Sequence, residues 1–594
     1  MESSLNPQQK QAAEAPAKPL LIVAGAGTGK TRTLTSRLVF LIDSGLPPES
    51  ILAITFTNKA AREMLDRVEG NIRGLRTKPY IGTFHSFGAR ILRAEAKHLN
   101  RTPDFIIFDE QDSFDLIKKI MKGMNFSPKE QKPSEFRHFV SAVKNGIALA
   151  EEAAPPGVGP ATAKEFYERY EDGLAEHNAF DFDDLLQKLV WLFEERPEIL
   201  EKYRERFRHI LVDEYQDLNN VQYALLRLLS GSGGALSVVG DAAQTIYTWR
   251  GSNIKIFLNF EKDWPGAQVV LLGENYRSTP NIIAAASDVL LDERMLSKNL
   301  KYKLWTENPE GEPVMLLETA NEEEEAEWMA DKIGEMAPGK SAAILYRTNA
   351  QSRALEQSLL RRGIPYRVFG GLRFYERREI KDILAGLRYA LNQKDAISRE
   401  RLEKTILKTR FRRFAESLSE GRDKNPLKLI KLFLESTDYL LYIERTMTDP
   451  ADRRENIAEL IRFASEFKTL PPFLEQIALL QSADNLNKQK NENGVVLSTI
   501  HLAKGLEFDS VYVAGIKEGL LPHARSFYDE DALEEERRLL YVAMTRAKKK
   551  LVLSFYDIPS RFLSSLPEEG MIYENLNSSP ARPLSDEERC ISID

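Results

Sequence analysis

Short runs of aliphatic and β-branched residues recur along the chain, each separated from the next by a segment long enough for a helix or more. They are "LLIVA" (20–24), "ILAITF" (51–56), "ILVDE" (210–214), "LSVVGD" (236–241), "VVLL" (269–272), "AAILY" (342–346), "VVLST" (495–499), "VYVAG" (511–515) and "LVLSF" (551–555). Apolar at nearly every position rather than at alternate ones, such runs suit strands buried on both faces of a parallel sheet. Parallel strands need crossover connections, and amphipathic segments between the runs supply them as helices, so the chain is read as α/β. Two stretches break the rhythm. Residues 91–184 and 393–490 are charged, helix-like and poor in strand signals. They are read as helical insertions into two α/β cores, the first carrying a Pro/Gly-rich loop, "AAPPGVGPATA" (153–163). The expected organisation is a first core over 1–90 and 185–271, its insertion over 91–184, a second core over 272–392 and 491–560, a short insertion over 393–490, and a polar tail over 561–594.

Composition narrows the function classes. Cys590 is the only cysteine among 594 residues, which excludes an internal disulfide, a cysteine zinc site and an iron–sulfur cluster. The N-terminus carries no apolar h-region and no run approaches a membrane span, so neither a signal peptide nor membrane insertion is expected. A net charge of −7 argues against a protein that coats nucleic acid, while leaving room for a narrow basic channel. The seven histidines show no metal-ligand spacing. "NEEEEAEW" (321–328) reads as a helix start capped by Asn321.

"AGAGTGKT" (24–31) follows a strand and opens a helix. Gly25, Gly27 and Gly29 let the backbone wrap closely around phosphates, with successive N–H groups and the helix N-terminus facing the anion. Lys30 reaches the outer phosphates and the Thr31 hydroxyl ligates Mg²⁺. "GEMAPGKS" (334–341) fits the strict phosphate-loop pattern better, yet it follows a helix and precedes the strand "AAILY". Without a helix N-terminus behind it, and with Pro338 lacking an N–H, it is read as a turn.

"ILVDEYQD" (210–217) is an apolar strand ending in two acids. At the C-terminal end of a parallel strand they project where α/β ligands bind, Asp213 toward Mg²⁺ and Glu214 toward an attacking water. "FDFDDLL" (180–186) also clusters acids, with helix capping favoured over a metal. "GDAAQTIYTWRGS" (240–252) leaves another strand. Gln244 is placed to feel the γ-phosphate or the water. Tyr247 and Trp249 have two readings from the residues alone: core aromatics, or a platform on which bases stack.

These segments, in this order, resemble the UvrD/Rep-like superfamily 1 DNA helicases over most of the chain. "LNPQQKQA" (5–12) resembles the family's adenine-reading glutamine motif and places that role on Gln9. "NYRST" (275–279) gives the adenine-stacking Tyr276 and an arginine finger, Arg277; "EEERRLLYVAMTRAKKKL" (534–551) gives a second γ-phosphate arginine, Arg546. "VLSTIHLAKGLEFDSVYVAG" (496–515), with His501 and Glu507, resembles the segment coupling DNA to ATP. The resemblance implies two RecA-like parallel-sheet domains, each with a mainly helical insertion, Lys30 and Glu214 coming from the first and Arg277 and Arg546 from the second. It implies ATP and Mg²⁺ as cofactors, held by Gln9, Ala24, Gly25, Ala26, Gly27, Thr28, Gly29, Lys30, Thr31, Arg32, Tyr276, Arg277, Glu507 and Arg546, with Thr31 and Asp213 on the metal and Lys30, Asp213, Glu214, Gln244, Arg277 and Arg546 catalytic.

"ITFTNKAAREM" (54–64) and "IGTFHSF" (81–87) resemble the family's single-strand-contacting segments. With them, the DNA set is Thr55, Phe56, Thr57, Asn58, Thr83, Phe84, His85, Tyr247, Trp249, Arg250 and His501. The implied activity is an ATP-driven 3′–5′ helicase on single-stranded DNA and single-strand/duplex junctions, a monomer or transient dimer in a bacterial-type cytoplasm, associated with the nucleoid and with repair or replication proteins. The second insertion departs from the family: it is short, and Gly421 is its only glycine before residue 490. That favours a second reading, a single-strand translocase that displaces proteins with little unwinding.

The two loop matches make opposite forecasts. Lys30→Ala is expected to abolish ATP hydrolysis, because a phosphate-facing charge is lost. Lys340→Ala is expected to leave it near the parent rate. Steady-state ATPase assays on both folded variants check this, and a large loss in Lys340→Ala would overturn the context argument.

Overall fold

The computed structural model describes residues 5–72, 77–126, 131–146, 149–231, 234–290, 302–370, 372–393, 395–420, 425–474, 477, 494–576 and 579–583. Gly421, Cys590 and the last eleven residues of the expected tail lie outside them. The chain forms two compact units, Met1–Arg277 with Asp292–Asn308, and Ser278–Leu291 with Pro309–Asp594.

In the first unit, β1 (Leu20–Ala24), β2 (Ile51–Thr55), β3 (Tyr80–Thr83), β6 (His209–Val212), β7 (Ala235–Gly240) and β8 (Gln268–Leu272) make one sheet in the order β3-β2-β6-β7-β1-β8. Every pairing in it is parallel. All five residues of β1 and all five of β2 are buried, as their unbroken apolar text requires. Between β3 and β6 come β4 (Ile106–Ile107) and β5 (Ala179–Phe180), a separate two-stranded ladder. With it stand helices Glu110–Gly123, Pro133–Lys144 and Pro160–Glu176, packed around Phe136, Phe139, Phe166 and Tyr170. This first insertion therefore has a core of its own.

In the second unit, β9 (Val314–Glu318), β10 (Ala342–Tyr346), β11 (Tyr366–Val368), β12 (Val495–Thr499), β13 (Phe508–Val513), β14 (Ala547–Phe555), β15 (Met571–Asn575) and β16 (Ser579–Pro583) form a sheet in the order β11-β12-β10-β13-β14-β9-β15-β16. The pairings are parallel except β15 with β16. Here the expectation of a tail from residue 561 is corrected. Residues Met571–Asn575 pair along β9, from Met571 beside Val314 to Asn575 beside Glu318. Met571 and Tyr573 are buried there, so the alternate apolar residues of "MIYEN" dock one face of a strand that lies between β9 and β16.

The second insertion behaves unlike the first. Its helices, including Lys408–Glu420, Pro426–Thr437, Tyr439–Thr446 and Pro450–Ser465, share one hydrophobic core with the sheet. Phe414, Phe433, Tyr439, Ile457 and Phe463 lie in the same cluster as Ile344, Tyr346, Leu384 and Leu387. Buried polar groups cross the same boundary. Arg353 is 1% exposed, bonds Glu459 and lies 4.7 Å from the Phe463 ring centroid. Arg377 donates to Asn456 Oδ1 at 2.7 Å, Asn456 to Glu379 at 2.7 Å, and the Tyr439 hydroxyl to Asp382 at 2.7 Å. Breaking such pairs strands buried charge, which costs more than the pairs contribute.

This predicts a single cooperative unit. Phe433→Ala should destabilise the second unit by about 3–5 kcal/mol. Native-state hydrogen exchange should show the insertion helices and strands β10–β13 losing protection together; opening of the insertion alone would contradict the shared core.

Candidate functional site

The strand order β6-β7-β1-β8 brings four C-terminal ends side by side, with Val212 paired to Val238, and Val23 to both Gly240 and Leu271. The loops that follow these strands are the phosphate loop, the acid pair, the segment of Gln244 and the segment of Tyr276.

The phosphate loop runs from Ala24 into helix Lys30–Asp43, whose N-cap is Gly29. Gly27 at φ 71° and Gly29 at φ 83° occupy the left-handed region, which explains glycine at both. The Thr28 hydroxyl donates to Gly25 O at 2.9 Å, and Lys30 Nζ reaches the Ala24 and Gly25 carbonyls at 3.4 Å each. Arg32 follows on the first turn of the helix, half-buried. The Thr31 hydroxyl donates to Asp213 Oδ2 at 2.8 Å, so the two residues expected on the metal meet across 182 positions of sequence. Asp213 is 3% exposed. Burial, and then the neighbouring Glu214, push its carboxyl up to about 7, against the Thr31 hydrogen bond and Lys30. A buried carboxylate short of counter-charge beside a hydroxyl is an oxygen donor set that fits Mg²⁺.

Glu214 leaves β6 at φ 52°, a left-handed conformation that is uncommon for a residue with a side chain and is typical of functional turns. Its backbone N–H donates to Asp213 Oδ1 at 2.9 Å, and its Oε2 accepts from Gln216 Nε2 at 2.6 Å. Gln216 Oε1 in turn accepts the Asp241 N–H at 2.9 Å. Gln244, 3% exposed, donates through Nε2 to Asp241 Oδ2 at 2.6 Å. The expected base and the expected sensor are thus joined through Gln216 and Asp241, neither of which the sequence reading singled out.

Gln9 is buried, and its amide is used at both ends. Oε1 accepts the Asn6 N–H at 3.1 Å and Nε2 donates to Thr28 O at 3.0 Å, tying the N-terminal helix to the phosphate loop. Tyr276, 46% exposed, donates its hydroxyl to Glu274 at 2.7 Å and accepts from Asn6 at 2.8 Å. Burial, then Glu274, push that phenol up to about 12.

The expectation that Arg277 comes from the second domain is corrected: it closes the first unit. Asn275 Nδ2 donates to Ala26 O at 2.7 Å and the Tyr276 N–H to Gly27 O at 3.0 Å, pinning Asn275 and Tyr276 onto the phosphate loop, and the Arg277 N–H donates to Asn275 Oδ1 at 2.8 Å. The chain leaves only at Ser278, whose hydroxyl donates to Ala547 O. Arg546, Glu507 and His501 lie in the second unit. Arg546 is 2% exposed and donates to the carbonyls of Val542 and Leu506; Glu507 pairs with Lys548 at 2.6 Å; His501 is the second residue of the short helix Ile500–Ala503 after β12.

Among the expected DNA residues, Trp249 is 63% exposed, which removes the core reading for it. Tyr247 is half-buried and stacks on Phe56, ring centroids 5.8 Å apart. The side chain of Arg250 lies outside the described residues. Thr57 caps helix Asn58–Asn71, which Asn58 opens, and Thr83 caps helix Phe84–Ala94. Two members are corrected. Phe84 is 3% exposed within the hydrophobic core, and Thr55 is 1% exposed with its hydroxyl turned to Thr57 O. Both support the surface from below and leave no face for a base. His85 stacks on Phe182 with centroids 3.9 Å apart, and burial pushes the imidazole down to about 4, so it is neutral at pH 7.

Phe182, 56% exposed, is an aromatic that the sequence does not mark, because it stands among the acids of "FDFDDLL". Those acids cap the helix, Asp181 accepting from the Asp184 N–H at 2.8 Å. They also surround buried Lys144, whose Nζ lies 2.7 Å from Asp181 and 2.8 Å from Asp184 and Glu171. An ammonium fills the centre of this cluster. "GEMAPGKS" connects helix Glu322–Gly334 to β10, with Ser341 bonded to Asp509, as a turn does.

Comparison with known proteins accounts for this arrangement. Residues 5–265 match the UvrD/REP helicase N-terminal domain, and residues 270–444 and 408–557 the UvrD-like helicase C-terminal domain. The ATP-dependent DNA helicase PcrA of Bacillus subtilis is 38% identical over 97% of this chain and 87% of its own length. DNA helicase II of Escherichia coli is 36% identical over 98% of this chain and 90% of its own. PcrA of Staphylococcus aureus is 35% identical over 98% and 88%. With both halves matched and the site motifs inside the matched segments, the chain belongs to the UvrD/REP helicase family.

Proposed function

We propose that the chain is an ATP-dependent DNA helicase that advances along single-stranded DNA. The observation that carries this reading is one edge of the first sheet on which the Thr31–Asp213 pair, Glu214 and Gln244 stand together, while Trp249 is presented to solvent five residues beyond Gln244.

Phosphate oxygens are held by the loop N–H groups and the Lys30 ammonium. Mg²⁺, held by Thr31 and Asp213, would neutralise charge on the outer phosphates. The Glu214 carboxylate takes a proton from the attacking water, and Gln244 orients that water or the γ-phosphate. Arg277 and Arg546 are assigned to charge that develops on the transferred phosphoryl group, where such residues are worth about 10³–10⁵ in rate. Tyr276 stacks on adenine, with Gln9 reading the base. The remaining nucleotide contacts expected from the sequence, Arg32 and Glu507, stay with this assignment. Single-stranded DNA runs over Phe56, Thr57, Asn58, Thr83, His85, Tyr247, Trp249 and Arg250, with His501 from the second unit.

Movement is assigned as 3′ to 5′, with work in repair, replication or recombination, at single-strand/duplex junctions, as a monomer or transient dimer in the cytoplasm. Among the described residues no helix is long and apolar enough to cross a membrane. The insertion that shares its core with the second sheet favours a second reading, a translocase that strips proteins and unwinds weakly. Unwinding of forked duplexes carrying either a 3′ or a 5′ single-stranded tail separates the two readings and fixes polarity.

Two variants test the residue roles. Glu214→Gln should retain ATP and DNA binding and lose about 10²–10⁴-fold in turnover, as expected when a positioned base is removed; near-normal hydrolysis would sink the assignment. Trp249→Ala should weaken single-strand affinity by about 1–3 kcal/mol, one stacked base. Its melting temperature should barely move, because an exposed substitution changes stability by about 0.5 kcal/mol or less. DNA titration and thermal melting of the same sample read both.

A further inference from the structure

The dense polar wiring behind Gln244 includes one group from a distant part of the chain. Tyr302 donates its hydroxyl to Asp241 Oδ1 at 2.7 Å across 61 positions of sequence. Its ring lies against the phosphate loop. A Cβ placed on Gly25 would come within 2.6 Å of Tyr302 Cε2 and of Leu304 Cδ2, so glycine at this position admits the aromatic ring as well as a phosphate. Backbone bonds hold the approach: the Asn275 N–H donates to Trp305 O at 2.7 Å and the Trp305 N–H to Gly273 O at 3.0 Å.

Asp241 is wholly buried. Its Oδ1 accepts from the Ala243 N–H at 3.1 Å as well as from Tyr302, and its Oδ2 accepts from Gln244 Nε2 at 2.6 Å. The end of the Gln244 amide turned to Asp241 is its nitrogen, so the carbonyl oxygen is turned the other way. Three donors on two oxygens in a buried site fix the carboxylate. The orientation of the sensor amide is therefore set by Asp241, and that of Asp241 is set in part by Tyr302.

We propose that Tyr302 is a positioning residue for ATP hydrolysis: its ring covers Gly25 of the phosphate loop, and its hydroxyl holds Asp241 so that Gln244 presents its amide in one orientation. The inference rests on the hydrolytic reading above and adds to it a residue that acts through Asp241 and Gln244.

The test uses the full-length protein, single-turnover and steady-state ATP hydrolysis with saturating single-stranded DNA, and thermal melting of every variant. Tyr302→Phe keeps the ring and removes the hydroxyl. It should lower kcat about threefold to tenfold with KM for ATP unchanged, the signature of an interaction that matters in the reacting complex. Tyr302→Ala should also raise KM, because the cover over Gly25 is lost. In a Gln244→Ala background, Tyr302→Phe should have no further effect, since coupled residues are non-additive and the group acted upon is gone. Parent-level kcat in Tyr302→Phe would overturn the proposal, as would the same fold-loss with and without Gln244. Absence of DNA-stimulated hydrolysis in the parent protein would instead overturn the reading on which it rests.

Discussion

The parallel pairing of β1 between β7 and β8, with β6 next in line, is the constraint on which the candidate site depends. Neighbouring strands lie about 4.8 Å apart, so four chain segments far apart in sequence emerge within a few residue widths of one another. The same burial that orders the sheet, with Leu21, Ile22, Leu211, Val212, Val238 and Val239 all within 2% of complete burial, decides where the chemistry stands. No residue of the phosphate loop needs to know where Asp213 is; β7, lying between β1 and β6, brings them together.

That edge is crowded with polar groups that would be costly if unsatisfied. Asp213, Gln216, Asp241 and Gln244 are all buried, and each is bonded to another member or to backbone. Burial, and then the adjacent Glu214, raise the Asp213 carboxyl to about 7. Where the backbone turns sharply to aim a carboxylate, Glu214 adopts a left-handed conformation. Strain and unmet charge fall on the two acids expected to handle the metal and the water, as is usual for sites completed only by their ligands.

Much of this was legible in the sequence because it is local. Unbroken apolar runs gave β1, β2, β6, β7, β8, β10, β12, β13 and β14, and loop context separated the phosphate loop at Lys30 from the decoy at Lys340. Three kinds of feature were not legible. Motif text does not distinguish inward from outward side chains, so Phe84 and Thr55 were grouped with His85 and Phe56 although they face the core. A boundary set by hydrogen bonds leaves no compositional mark, so Arg277 was assigned beyond the point where Asn275 and Tyr276 pin the chain to the phosphate loop. Partnerships across long separations have no local period, which is why Tyr302–Asp241 and the helices that merge with the second sheet emerge only in three dimensions. The strand Met571–Asn575 was missed for a related reason: its residues alternate in burial, and its apolar residues are too few to stand out from polar text.

The segment from Asp241 to Gly251 turns its two ends in opposite directions. A tight turn over Ala242–Gln244, capped by the Asp241 side chain, directs Gln244 inward to the hydrolytic wiring. Ile246, wholly buried, then anchors the chain to the unit. Beyond it, Tyr247 packs on Phe56 at the rim, and the turn Thr248–Arg250, ended by Gly251 at φ 87°, lifts Trp249 into solvent. The polar, aromatic and basic residues crowded after this strand are therefore not an irregular turn but two oppositely directed ones, divided by the buried Thr245 and Ile246.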